Sequence, residues 1–299
     1  MGIRTDLALE SKEIFEEGRS GDAGEIPGVA VDVDQWDQDI RVTRIRIQDE
    51  EGAAALGKPP GNYITIELEA GLSGTEARRE EAARAVAAEL KKLLPQRDGE
   101  SPLQVLVVGL GNPEVTPDAL GPRAAGSVQV TRHIFLLFRE QAEEGMACVS
   151  VLCPGVMAST GMETAELIRK AVEIAGPDLV LAVDALAARE ASRINTTIQI
   201  SDTGISPGAG TGNMRKELTE KSLGRKVLAV GVPTVIDSNT LIMDSLGGFL
   251  TEPEKAEQYL AEQGASVIVT SSDIDQVVAG FSEILANAIN ITLHPGIYS

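Results

Sequence analysis

The chain has 299 residues, 43% hydrophobic and 24% charged, which suits one large domain or two modest ones and excludes disordered and low-complexity classes. Forty-five Asp and Glu against 26 Lys and Arg leave a net charge of −19, which argues against sequence-independent binding to nucleic acid or an anionic membrane. The N-terminus lacks a signal-peptide pattern, there is no 18-residue apolar run, and Cys148 and Cys153 read as two reduced, buried thiols of a cytosolic protein.

In chain order, Ile40 to Ile47 (IRVTRIRI) alternates as a strand, with a slip at Thr43–Arg44 that reads as a bulge. After a Gly/Pro turn, Tyr63 to Leu68 (YITIEL) forms its partner strand. Thr75 to Leu94 is rich in Ala, Glu, Arg and Leu and is closed by Pro95, which predicts a helix. The texture then changes. Gln104 to Gly109 (QVLVVG), Cys148 to Cys153 (CVSVLC) and Leu179 to Val183 (LVLAV) are short apolar runs of the kind buried on both faces of a sheet. Thr197 to Ile200 and Val227 to Val232 add two more strands. Met162 to Ala175 has helical periodicity stopped by Gly176–Pro177, and Asp273 to Ile289 reads as a closing amphipathic helix. Strands alternating with helices give an α/β class with a mainly parallel sheet flanked by helices and a β-rich N-terminal portion.

The charge is uneven. Residues 7–40 hold ten acidic and two basic side chains, and residues 251–299 hold seven and one. Residues 101–250 are nearly neutral, with sixteen acidic and twelve basic. Acidic flanks of this kind read first as solvated surface.

In open α/β sheets, chemistry sits where loops leave the carboxyl ends of strands. Two carboxylates fall there. Asp118 lies in the loop GLGNPEVTPDALGP, and Asp184 directly follows the 179–183 strand in LVLAVDALAAR. A carboxylate at the end of an apolar strand is costly to bury unless it is paired or used. The two could share a proton and split into one acid and one base, or ligate a divalent metal with His133 or a water. Structural roles compete: an N-terminal helix acid for Asp118, and pairing with Arg189 or Arg193 for Asp184. Gly109 and Gly111 lack the third glycine of a dinucleotide motif and read as a tight turn that lets backbone approach the site. Ser206 to Gly212 (SPGAGTG) reads as a substrate-facing loop. The cluster Arg215, Lys216, Lys221, Arg225 and Lys226 reads as solvated surface or as a docking patch for acidic peptide. HExxH and GxSxG are both absent, so zinc and serine hydrolase readings are weak.

Longer stretches carry a resemblance. RTDLALE at 4–10, GLGNPEVTPDALGP at 109–122, VTRH at 130–133, PGVMASTGMETAE at 154–166, DLVLAVDALAAR at 178–189, RINTTIQISDTGISPGAGTGN at 193–213 and GVPTVID at 231–237 together resemble the germination protease family of spore-forming bacteria. The resemblance implies a cytoplasmic endopeptidase of the forespore and spore core, made as a zymogen and assembled as a homotetramer. Its substrates would be small acid-soluble spore proteins, which bind DNA. They would be cut after an acidic residue and before a hydrophobic one, followed by Ala or Ser and then an acid. Thr5-Asp6-Leu7-Ala8-Leu9-Glu10 fits that pattern, so autoprocessing is expected between Asp6 and Leu7. Residues 1–6 would then be a short pro-segment, and 7–299 a single α/β peptidase domain with its core at about 101–250. The family's essential aspartates match Asp118 and Asp184. The fold is expected to be similar to that of hydrogenase-maturation endopeptidases, whose acidic residues at the corresponding places bind a metal. No cofactor and no membrane or nucleic-acid partner is expected. The alternatives are a metal-dependent peptidase using the same carboxylates, and a non-catalytic binder of acidic-motif peptides.

Overall fold

A computed structural model describes residues 5–18, 25–69, 75–96, 101–138, 145–208, 215–246, 249–250, 252–263 and 267–298. The chain begins with helix α1 (Ala8–Glu17), then an antiparallel run β1 (Val29–Gln35), β2 (Ile40–Ile47) and β3 (Gly61–Leu68), with helix α2 (Glu50–Leu56) between β2 and β3. Helix α3 (Glu76–Leu93) leads to β4 (Gln104–Gly109), a 3-10 turn at Thr116–Asp118, α4 (Leu120–Gly126) and α5 (Arg132–Leu137). There follow β5 (Cys148–Leu152), α6 (Met157–Thr160), α7 (Thr164–Ala175), β6 (Leu179–Ala188) and β7 (Thr197–Ser201). The chain continues through α8 (Glu220–Leu223), β8 (Lys226–Asp237), α9 (Ser238–Leu246), α10 (Pro253–Gln263), β9 (Ile268–Val269) and α11 (Ile274–Leu293).

All nine strands join one mixed sheet in the order β1-β2-β3-β7-β8-β6-β4-β5, with β9 on β8. Strands β5, β4, β6 and β8 are parallel; β7 runs antiparallel to both β3 and β8 and welds the N-terminal hairpins to that parallel block. The class is mixed α/β, a central sheet between helices.

Both faces of the sheet are covered. The larger core packs α3, α4 and α11 against one face through Val86, Leu90, Phe281 and Ile284. On the other face, α7 covers β4 and β6 through Ile168 and Val172. This two-sided cover removes the bulge expected at Thr43–Arg44. Pairing runs without a break from Thr43↔Thr65 to Arg44↔Ile64. Ile40 and Val42 face the large core, while Ile45 and Ile47 face a second cluster under α1 and α2. Arg44 is tolerated because the buried Glu89 of α3 accepts two of its hydrogen bonds, at 2.9 and 2.7 Å.

Helix α11 extends beyond the expected end to Leu293 and is buried rather than merely amphipathic. Among the described residues it is the helix long and apolar enough to cross a membrane, and most of it is buried in the core, which accounts for its apolarity. The thiols differ from expectation: Cys148 is buried at the start of β5, whereas Cys153, one residue past that strand, is exposed.

Candidate active site

Asp118 owes its position to small residues. Gly111, at φ +112°, turns the loop after β4 back on the 3-10 turn, and a Cβ there would sit 2.0 Å from the Asp118 carbonyl oxygen. The turn is pinned by β8, where the Thr234 hydroxyl donates to the Pro117 carbonyl at 2.8 Å. Gly121 then lets α4 lie on the sheet, since a Cβ there would come within 2.2 Å of the Leu110 carbonyl oxygen and 2.4 Å of the Val183 carbonyl oxygen. The expected backbone-approach role of Gly111 is therefore observed. The Asn112 amide donates to Asp118 Oδ2 at 2.8 Å.

Asp184 does not end its strand, as the sequence suggested. It lies inside β6, because pairing with β8 continues past Asp184↔Gly231 to Ala188↔Ile236. Neighbouring β4 stops at Gly109, opposite Val183, so Asp184 does stand just beyond the carboxyl end of that strand. It is 5% exposed, and its Oδ1 accepts from the Ala185 amide at 2.9 Å. Its carboxyl is pushed well above the usual range by burial, then by the charges of Asp118 and Asp6. Burial likewise raises Asp118, against the opposing pull of the Asn112 amide and Arg215. Both carboxyls are thus held in the protonated form to higher pH than an exposed aspartate.

Asp118, Asp184 and Arg215 line one cleft, together with Pro207 and Gly208. Arg215 is thereby separated from its basic neighbours: it faces the aspartates, while Lys216 pairs with Glu166 at the surface, 2.9 Å away. The rest of the expected loop, 209–212, lies outside the described residues. Asp184 also lines a second cleft, with Asp6, Lys58 and Gln199. Arg189 and Arg193 are not its partners. They bind Glu17 at 2.8 Å and Glu13 at 2.6 Å and so dock α1 on the end of β6. Part of the N-terminal acidity is thus taken up in ion pairs within the chain.

The chain's own N-terminal segment forms part of the wall of the second cleft, through Thr5 and Asp6. Asp6 grips Ala187 from both sides: its amide donates to the Ala187 carbonyl at 3.1 Å, and its Oδ2 accepts from the Ala187 amide at 2.8 Å. The Asp6 carbonyl accepts from Gln199 Nε2 at 2.8 Å and from Lys58 Nζ at 3.1 Å. Leu7 is fully buried among Leu186, Ala188, Ile194 and Ile205. The Ala8 amide donates to Gln199 Oε1 at 2.6 Å. Glu10, also fully buried, accepts from the amides of Arg189 and Glu190 at 2.8 and 2.9 Å and from the Thr5 hydroxyl. Burial raises its carboxyl above the usual range despite these donors.

Among the described residues no three His, Cys, Asp or Glu side chains are grouped to hold a metal ion, so the donor set at this site is the two aspartates. His133 is exposed on α5 and lines neither cleft. Sequence reasoning missed Lys58, Gln199 and Ala187 as neighbours of the site. The TDLALE pattern pointed to the docked segment, but nothing local to Lys58 or Gln199 marks them.

Comparison with known proteins gives the class first: residues 8–252 match a peptidase family model, and the chain is a protein hydrolase. That model is described as germination protease, and the chain belongs to the germination protease family, endopeptidases of spore germination. It is 41% identical to the germination protease of Caldanaerobacter subterraneus subsp. tengcongensis, covering 99% of this chain and 96% of that one. It is 39% identical to that of Clostridium perfringens (98% and 95%) and 37% identical to that of Oceanobacillus iheyensis (98% and 94%). A solved [NiFe] hydrogenase maturation protease, HycI from Thermococcus kodakarensis KOD1, aligns at TM-score 0.35 and 15% identity, over 68% of this chain and 99% of that one.

Proposed function

We propose that this protein is an aspartate-dependent endopeptidase that starts the degradation of small acid-soluble spore proteins, cutting after an acidic residue and before a hydrophobic one. The same reading has it process its own chain between Asp6 and Leu7. The observation that carries the proposal is the hold on segment 5–10. An acidic side chain meets the Ala187 amide, a hydrophobic one fills a closed apolar pocket, and a second acid four residues on meets two backbone amides, all where the chain runs on past Asp184.

In the proposed chemistry, Asp184, the more deeply buried, keeps the shared proton, and Asp118 carries the charge beside Arg215. Asp118 takes a proton from water as the water oxygen adds to the scissile carbonyl carbon. Asp184 gives its proton to the leaving amine as the C–N bond breaks. The reading needs no cofactor and places the enzyme, as a homotetramer, in the forespore and spore-core cytoplasm.

The test is digestion of a purified small acid-soluble spore protein, with and without chelator, with the products mapped by N-terminal sequencing. New N-termini at hydrophobic residues that follow Asp or Glu, unaffected by chelator, are expected. A stable complex with no new N-termini would count against the proposal, as would activity lost to chelator and restored by metal.

A further inference from the structure

The carbonyl of Asp6 is gripped by two side chains from separate elements, and neither belongs to the aspartate pair. Lys58 sits in the turn between α2 and β3, after the left-handed Gly57 cap at φ +64°. That turn is tied down from β3, because the Tyr63 hydroxyl donates to the Pro59 carbonyl at 2.8 Å. Gln199 is buried in the middle of β7, paired on one side with Thr65 of β3 and on the other with Gly231 of β8. Gly231 is the residue that pairs with Asp184. One amide group of Gln199 therefore holds the peptide on both sides of the Asp6–Leu7 bond. Its Nε2 donates to the Asp6 carbonyl, and its Oε1 accepts from the Ala8 amide.

A lysine ammonium is expensive to desolvate and is normally free to point into water. Here burial lowers its pKa, while the charges of Asp6 and Glu10 oppose that shift. Its Nζ donates to the Asp6 carbonyl oxygen. A cation and an amide N–H converging on one carbonyl oxygen, inside a partly closed cleft, form a preorganised site for developing negative charge.

We infer that Lys58 Nζ and Gln199 Nε2 form the oxyanion site of this enzyme, polarising the carbonyl on the amino side of the scissile bond. This rests on the proposed cleavage after an acidic residue. When the water oxygen bonds to the Asp6 carbonyl carbon, the π electrons move to the carbonyl oxygen, and the two N–H donors carry that charge. When the C=O bond re-forms, the C–N bond breaks and the Leu7 nitrogen takes a proton from the aspartate pair. The aspartates thus move protons, and Lys58 and Gln199 hold charge. Bound substrate would use the same pair as the enzyme's own segment.

The full-length chain tests this in two assays. Release of residues 1–6 is first order, so mass spectrometry of the intact protein over time reads the step without a binding term. A peptide containing Thr-Asp-Leu-Ala-Leu-Glu, added in trans, gives kcat and KM separately. Lys58→Met is expected to lower the processing rate and kcat by about 10²- to 10³-fold, with KM changed only a few-fold. Gln199→Met is expected to lower kcat and also raise KM, because it loses the Ala8 contact. Lys58→Arg, which keeps a cationic donor, is expected to recover at least about tenfold over Lys58→Met. Wild-type kcat in Lys58→Met, with a native melting curve, overturns the assignment. So does a pure KM effect, which a merely structural clamp would give. If wild type leaves the peptide intact, the cleavage reading fails and the inference falls with it. If wild type cuts it and Asp118→Asn does not, while Lys58→Met cuts normally, only the oxyanion assignment fails.

Discussion

Asp184 and Asp118 hold their protons to higher pH in the folded chain than an unfolded aspartate would, Asp184 by the wider margin. For a carboxyl raised in this way, its stability contribution is fully present below the ordinary value of 3.8 and is lost as pH rises through the folded value. Asp184→Asn is therefore expected to raise the melting temperature at neutral pH, with the gain shrinking toward pH 4; melts across that range check the trend. The same substitution, like Asp118→Asn, is expected to lower kcat by about 10²-fold or more. A bell-shaped profile is expected for kcat/KM, with the acid limb set by the charged aspartate and the alkaline limb by the protonated one. Asn in place of either aspartate should remove the matching limb. Arg215 belongs to this scale too, since its charge lowers both aspartates, and Arg215→Ala should move the acid limb to higher pH.

At the level of elements, the site depends on how closely α4 approaches the sheet. Gly121→Ala puts a methyl within 2.4 Å of two backbone oxygens that cannot yield without moving β6 or the loop after β4. Loss of activity larger than loss of stability is expected, because the displaced element carries Asp118. Parallel kinetics and urea unfolding separate the two. The extension of β6 and β8 past the end of β4 leaves Ala187 an open edge, where its carbonyl accepts from the Asp6 amide and its amide donates to the Asp6 side chain. Leu7→Ala empties the pocket between Leu186 and Ala188 and is expected to cost about 2–3 kcal/mol by denaturant titration.

Over the whole molecule, α11 is the keystone. Phe281 is fully buried under the parallel strands, and Phe281→Ala is expected to cost about 3–5 kcal/mol, read from denaturant unfolding. The charge of −19 divides between internal work and surface. Glu10, Glu13 and Glu17 anchor α1 on the end of β6, through backbone amides there and through Arg193 and Arg189, while Asp32 and Asp34 stay exposed on the edge strand β1.

Much of the fold was legible because its signals are local. Apolar runs and a glycine stop marked β4, β5 and α7 to within two residues, residue chemistry singled out Asp118 and Asp184, and the family resemblance picked out the TDLALE segment. The bulge at Thr43–Arg44 was misread because a strand covered on both faces loses the alternation that a half-exposed strand keeps. The end of β6 was misread because a partner strand, not the chain itself, decides where pairing stops.

By itself the sequence determined the element types, the candidate carboxylates and a substrate-like segment at the N-terminus, since each is written within a few neighbouring residues. Only the tertiary structure decided what meets them. Lys58 and Gln199 lie 52 and 193 residues from Asp6 along the chain, and sheet pairing and turn geometry alone bring them to one carbonyl. The raised pKa values follow the same logic, because desolvation is set by what packs around a carboxylate and not by the residues beside it in sequence.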